Sequence, residues 1–129
     1  MTIRIKRAYE LPDDTDGLRI LVDRLWPRGI SKEKAKIDFW PKEIAPSNEL
    51  RKWYGHDPDK WTEFKQRYFS ELDAHPEQVK ELLGYMSKGN VTFVYSSTEQ
   101  HLNNAVALKE YIEPRLWGSV EVGLGDDRK

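Results

Sequence analysis

The residues with the most chemistry to offer stand in one run, Asp23-Arg24-Leu25-Trp26-Pro27-Arg28-Gly29. Two guanidinium groups separated by a Trp-Pro turn can converge on one anion. Arginine suits bidentate contact with carboxylate or phosphate. Pro27 and Gly29 would fix the loop's shape, and Trp26, between the arginines, is placed to stack on a ligand. The plainer reading has Asp23 and Arg24 paired within the fold and Arg28 solvated. From residue 24 to 36, five basic residues (Arg24, Arg28, Lys32, Lys34, Lys36) meet Glu33 alone, five minus one, a local charge of +4.

A second run, Ser96-Ser97-Thr98, is a hydroxyl-rich turn ahead of a helix pattern. Such a turn offers backbone N–H groups and the positive end of the helix dipole to an anion. Its commoner role is to cap the helix. A helix starting near Thr98, with Glu99 in its first turn, brings His101 and Asn104 onto one face at i, i+3. His101 can carry a proton near neutral pH. Asn104, beside Ala105 and Val106, either orients a ligand or ties the strand loop to the helix, and needs partners if buried. His56, just after Gly55, is a general-base candidate or a partner for a nearby carbonyl. Asp57 and His75 read as helix caps.

Several chemistries are missing. The histidines form no HxH, HExxH or HxxxH pair, so no metal site is expected. There is no GxSxG nucleophile elbow, no GxxxxGK[ST] and no GxGxxG, so no cofactor is implied. The absence of cysteine removes disulfides, thiolate ligands and thiol catalysis, and fits a cytoplasmic protein.

These residues must be positioned by a small set of elements. Ile3 and Ile5 alternate with Arg4 and Lys6, a half-exposed strand over 2–8. Pro12 to Gly17 is a polar turn, and 18–22 is a short apolar strand covered on both faces. Residues 23–46 are irregular, with Ser31 capping one short turn and Phe39, Trp40 and Ile44 pinning the segment. Ser47 caps a helix through Trp53, closed by Gly55 in the left-handed position. Asp57-Pro58 opens a helix with the stripe Trp61, Phe64, Tyr68, Leu72, in which Trp61 and Trp53 are expected in the core. Pro76 opens another, with Val79, Leu82, Leu83 and Met86, stopped by Gly89. Val91–Tyr95 is the clearest strand. The last helix carries Leu102, Ala105, Val106, Lys109 and Ile112 on one side and is expected to end at Pro114, with a final short strand or arm around Trp117, Val120 and Val122.

Strands separated by helices give an α/β fold: one domain over 1–129, a short, mainly parallel sheet flanked by helices, with a long irregular loop after the second strand. Such sheets bind ligands at the carboxyl ends of their strands, where both polar runs fall. The chain has 129 residues, 38% hydrophobic and 33% charged, with a net charge of -1. That balance fits a soluble globular domain with no membrane span, and argues against nucleic acid as a partner.

The runs Leu21 to Gly29, Ala45-Pro46-Ser47 through Leu50-Arg51-Lys52-Trp53, His56-Asp57-Pro58 through Trp61 and Phe64, and Asn103-Asn104-Ala105 resemble the bacterial domain-of-unknown-function family 488, in its short YeaO-like branch. The resemblance covers residues 3–114, and Arg-Leu-Trp-Pro-Arg-Gly is its most specific part. It implies a small cytoplasmic α/β protein and no particular reaction. The family positions present are Asp23, Arg24, Trp26, Pro27, Arg28, Trp53, His56, Asp57 and Asn104. The family places Ala then Lys after the strand at 91–95, where this chain has Ser97 and Thr98.

Three functional readings follow. In the first, a small phosphate- or carboxylate-bearing ligand binds at the strand ends, held by Arg24 and Arg28 beside Asp23, walled by Trp26, and oriented by Ser96, Ser97 and Asn104. His56 or His101 carries a proton if chemistry occurs. In the second, the basic 24–36 segment of a non-catalytic module meets an acidic protein or a nucleic-acid backbone. In the third, the same residues are a fold signature, with Trp26, Trp53 and Trp61 packing one core.

Overall fold

The computed structural model describes residues 3–125, and side chains over 3–116. Three strands, β1 (Ile3–Arg7), β2 (Leu18–Leu21) and β3 (Val91–Tyr95), form one sheet in the order β1-β3-β2, and both pairings are parallel. The expected parallel α/β architecture is therefore present, with the apolar β3 as the central strand.

Strand periodicity divides the sheet's residues between two different coverings. Ile3 and Ile5, Leu18 and Ile20, and Val91, Phe93 and Tyr95 pack with the large core. That core is completed by α2 (Asn48–Tyr54), α3 (Trp61–Asp73), α4 (Pro76–Met86) and α5 (Asn104–Gly125), which supply Leu50, Phe64, Tyr68, Leu72, Leu82, Met86, Leu108 and Ile112. On the other face, Ala8, Leu21 and Val94 lie under Trp26, Ile30, Ile37 and Trp40 of the long loop. A single turn, α1 (Lys32–Ala35), is capped by Ser31 as expected. The irregular segment is thus the second layer of the sheet. Its Phe39 N–H bonds the Arg19 carbonyl at 3.2 Å, and Phe39 bridges to Ile20 in parallel fashion.

The same face is charged toward its amino end. Arg4, Thr92 and Arg19 are in register across the strands, and Asp16, 1% exposed, sits among them. Arg19 Nη1 donates to Asp16 Oδ2 at 2.7 Å, and Lys6 Nζ donates to Asp16 Oδ1 at 3.1 Å. Burial alone would push the Asp16 carboxyl up. The Asp13 N–H and the Lys6 and Arg19 side chains outweigh burial and hold it below its usual value. Gly17 follows in the left-handed region at φ 67°, where an added Cβ would lie 2.1 Å from the Asn90 carbonyl oxygen. Only glycine lets β2 start this close to β3.

Helix starts agree with the sequence wherever a cap and a stripe coincide. Ser47 accepts from the Leu50 N–H, and Gly55 closes α2 at φ 54°. Asp57 caps a 3-10 turn, Pro58–Lys60, that feeds into α3. Several expectations are corrected. His75 stands before α4 but makes no capping bond; its Nδ1 meets the Glu71 carbonyl at 2.7 Å. Helix α4 ends at Met86 with Ser87 as its cap, before Gly89. Trp53 and Trp61 are half-buried at the core's edge, with Arg67 4.4 Å from the Trp53 ring.

The largest correction concerns α5. It begins at Asn104, not Thr98, because Asn103 is the residue that caps it: its Oδ1 accepts from the Val106 N–H at 3.0 Å. Residues 96–103 are a loop, held by Glu99, whose Oε2 accepts from the His101 and Leu102 N–H groups. Pro114 lies inside α5. Leu108, Tyr111 and Ile112 are buried in the turns before it, and the helix continues past it to Gly125. The strand expected around Trp117, Val120 and Val122 falls on the last part of α5, and those side chains lie outside the described residues.

Candidate functional site

Because β2 and β3 are parallel neighbours, with Leu21 opposite Val94, the two polar runs leave the sheet side by side. One carboxylate joins them. Asp23 Oδ2 accepts from the Ser96 N–H at 2.9 Å and from its hydroxyl at 2.8 Å, and Oδ1 accepts from Asn104 Nδ2 at 3.0 Å. Asn104 Nδ2 also donates to the Val22 carbonyl at 2.9 Å, which fixes the amide's orientation and leaves Oδ1 without a partner among the described residues. Asp23 therefore ties the ends of β2 and β3 to the first turn of α5. It makes no pair with Arg24.

The loop after β2 is held from both sides. Trp40 Nε1 donates to the Asp23 carbonyl at 2.8 Å, and Trp26 Nε1 closes the loop on Ile30 at 2.7 Å. Arg24 donates from Nε and Nη2 to the carbonyls of Pro46 and Ala45, at 3.2 and 3.0 Å. From β1, Arg7 donates to the Ser97 and Ser96 carbonyls at 2.8 and 3.1 Å, and lies 4.9 Å over the Tyr9 ring. The Tyr9 hydroxyl donates to the Arg28 carbonyl at 2.9 Å. Arg28 itself is exposed, and its guanidinium has no hydrogen bond or ion pair among the described residues.

These loops enclose a cavity of about 330 Å³ at the carboxyl ends of the strands. Eight of the nine residues singled out from the sequence line it: Asp23, Arg24, Trp26, Arg28, His56, Ser96, Ser97 and Asn104. His101 does not: it is exposed, in the loop before α5, so it shares no helix face with Asn104. The sequence reading missed Tyr9, Arg51, Tyr54 and Asn103. Arg51 has the look of an ordinary charge on a short helix. Only its place four residues before Gly55, where the chain turns back, hints at more.

The lining is cationic and aromatic. Arg24, Arg28 and Arg51 face one carboxylate, Asp23, whose two oxygens are both engaged. Among the described residues, the Arg51 side chain bonds Asn48 alone, at 3.0 Å. Tyr54 stacks on Phe64 at 4.3 Å and donates its hydroxyl to the Leu102 carbonyl at 2.6 Å. Burial, then the nearby Glu99 and Asp57 charges, push its phenol up to about 12, so it is a neutral wall. The Glu99 carboxyl is held below its usual range by the His101 and Leu102 N–H groups. His56 is left-handed at φ 57° directly after Gly55, and its ring lies 5.8 Å from that of Tyr54.

The arrangement can bind and orient an anion. It lacks a charge-relay pair: the Ser96 hydroxyl donates to a carboxylate, and the Ser97 hydroxyl accepts from the Glu99 N–H. Among the described residues no group of His, Asp and Glu is placed to hold a metal ion. Of the basic 24–36 segment, Arg24 and Arg28 line this cavity, while Lys36 lines a separate one of about 260 Å³ beside Arg19. Lys32 and Lys34 are exposed on α1.

The fold and site define a small parallel α/β protein with an arginine- and aromatic-lined cavity at the carboxyl ends of its strands. Residues 2–122 match the family described as the inactive DUF488-N3 subclade, and the chain belongs to it. It is 40% identical over 112 residues to the uncharacterized protein YeaO of Escherichia coli, covering 87% of this chain and 97% of that one. It is 38% identical over 115 residues to the uncharacterized protein Rv3073c of Mycobacterium tuberculosis, covering 88% and 95%. No solved structure matches the chain at a significant level. No helix among the described residues is long and apolar enough to cross a membrane.

Proposed function

We propose that the protein binds a small anionic ligand, phosphate- or carboxylate-bearing, in the cavity at the ends of β2 and β3, and does so without turnover. The observation that carries this is Arg28: an unpartnered guanidinium in a cavity it shares with Arg24 and Arg51, opposite a single carboxylate that is already satisfied. Buried arginines are paired, as Arg19 is; Arg28 differs from a solvated surface charge in its place in the cavity beside Arg24 and Arg51. Arg28 and Arg51 hold the anion, Arg24 fixes the loop while offering Nη1, and Trp26 forms the wall. Asp23, Ser96 and Asn104 hold the floor, and Ser97 borders it.

Binding without chemistry is supported by the absence of an activated nucleophile among the lining residues, and agrees with the family's description as inactive. Calorimetric titration with inorganic phosphate and with citrate tests the reading. Saturable binding that weakens at least tenfold in Arg28→Ala supports it. Equal heats from wild type and Arg28→Ala would refute it.

A further inference from the structure

The cavity is larger and more aromatic than a bare anion needs. Its volume of about 330 Å³ is many times the ~30 Å³ share of one water, and stands at the small end of the ~300–1,000 Å³ range of small-molecule sites. A tetrahedral anion on Arg28 and Arg51 leaves most of that space beside Trp26 and Tyr54, both rigid rings. Both N–H groups of the Asn104 amide are directed to Val22 and Asp23, so Oδ1 is the amide's one unused group, and it is an acceptor. A complementary ligand therefore carries an anion, a flat ring and a hydrogen-bond donor on that ring. An unsubstituted aryl acid lacks the donor and a sugar phosphate lacks the ring.

Resting on the anion-site reading above, we propose that the ligand is a nucleoside monophosphate: its phosphate on Arg28 and Arg51, its base against Trp26, and a base amino or ring N–H group on Asn104 Oδ1. The mode differs from glycine-loop nucleotide binding, which the sequence does not contain. Here arginine side chains hold the phosphate and the loop amide of Ser96 is already given to Asp23. The cavity's size favours one nucleotide over a dinucleotide.

The test is a calorimetric comparison on the wild-type chain of the four ribonucleoside 5′-monophosphates, ribose 5-phosphate and inorganic phosphate. At least one nucleotide should bind about tenfold or more tighter than ribose 5-phosphate, the gain expected from one base stacked on an aromatic side chain. Trp26→Leu should cost the nucleotide more affinity than it costs ribose 5-phosphate. Should Trp26→Leu unfold, the wild-type comparison still decides. Ribose 5-phosphate binding as tightly as every nucleotide would overturn this inference and leave the anion site standing. No binding by any of the six would overturn both.

Discussion

Two charged regions share one face of the sheet or its edge, and they treat their arginines in opposite ways. At the amino end, Arg19 is 3% exposed and locked to Asp16, with Nε on the Ala35 carbonyl at 3.0 Å. Of its nitrogens only Nη2 lacks an acceptor among the described residues. At the carboxyl end, Arg28 is exposed in a cavity, and its side chain has no bond among the described residues. Both are arginines on or near β2, within ten residues. One closes a hole in the fold, where an unpaired charge would be costly; the other stands where solvent keeps it charged at little cost. The lesson is that one residue type is buried and paired at one end of the strand and exposed at the other, and the proposal places binding at the exposed end.

The sharpest way to break this comparison is Asp16→Asn. It strips the ion pair from buried Arg19, and loss of one partner of a buried pair costs roughly 3–5 kcal/mol. Thermal unfolding should fall on the order of 10 °C or more, with anion affinity per folded molecule unchanged. An unaltered melting temperature would show that the amino-end cluster is not structural. Asp23→Ala should come next. It frees the Ser96 N–H and the Asn104 amide, at about 2 kcal/mol, and loosens the cavity floor, so both stability and binding suffer. Denaturant unfolding beside a phosphate titration would show whether the two losses travel together.

A smaller effect is set by pH. The Asp16 carboxyl titrates below its unfolded value of ~3.9, so its contribution is complete above that value and fades as pH falls through the lower folded one. Acid unfolding of the wild type should steepen below about pH 4, and Asp16→Asn should flatten that limb. An identical acid limb in the variant would contradict the assignment.

The sheet was legible because each strand combined a clean pattern with turn residues at its ends, as Val91–Tyr95 does between Gly89-Asn90 and Ser96-Ser97. The position of most cavity residues was legible for a related reason: parallel strands carry their following loops to one end, so Asp23, Arg24, Arg28, Ser96 and Asn104 meet. The start of α5 was hidden because two caps compete, Thr98 and Asn103, and the winner depends on Glu99 reaching the His101 and Leu102 N–H groups. Pro114 misled because local propensity ends a helix at a proline, whereas α5 runs through it. Arg7, Tyr9 and Arg51 were missed because their roles depend on which loop crosses which, a tertiary fact. Nor does the sequence tell Arg19 from Arg28, since partnering, not residue type, separates them.

The central claim is tested most directly by thermal unfolding of wild type and Arg28→Ala, each with and without inorganic phosphate at high concentration. A ligand at ~100 times its dissociation constant adds about 2.7 kcal/mol. The wild type should therefore rise by several degrees, and Arg28→Ala should melt with the wild type to within about 0.5 kcal/mol yet gain nothing from phosphate. An Arg28→Ala protein that melts several degrees lower by itself, with no phosphate shift in either chain, would show that Arg28 serves the fold and that the cavity is not an anion site.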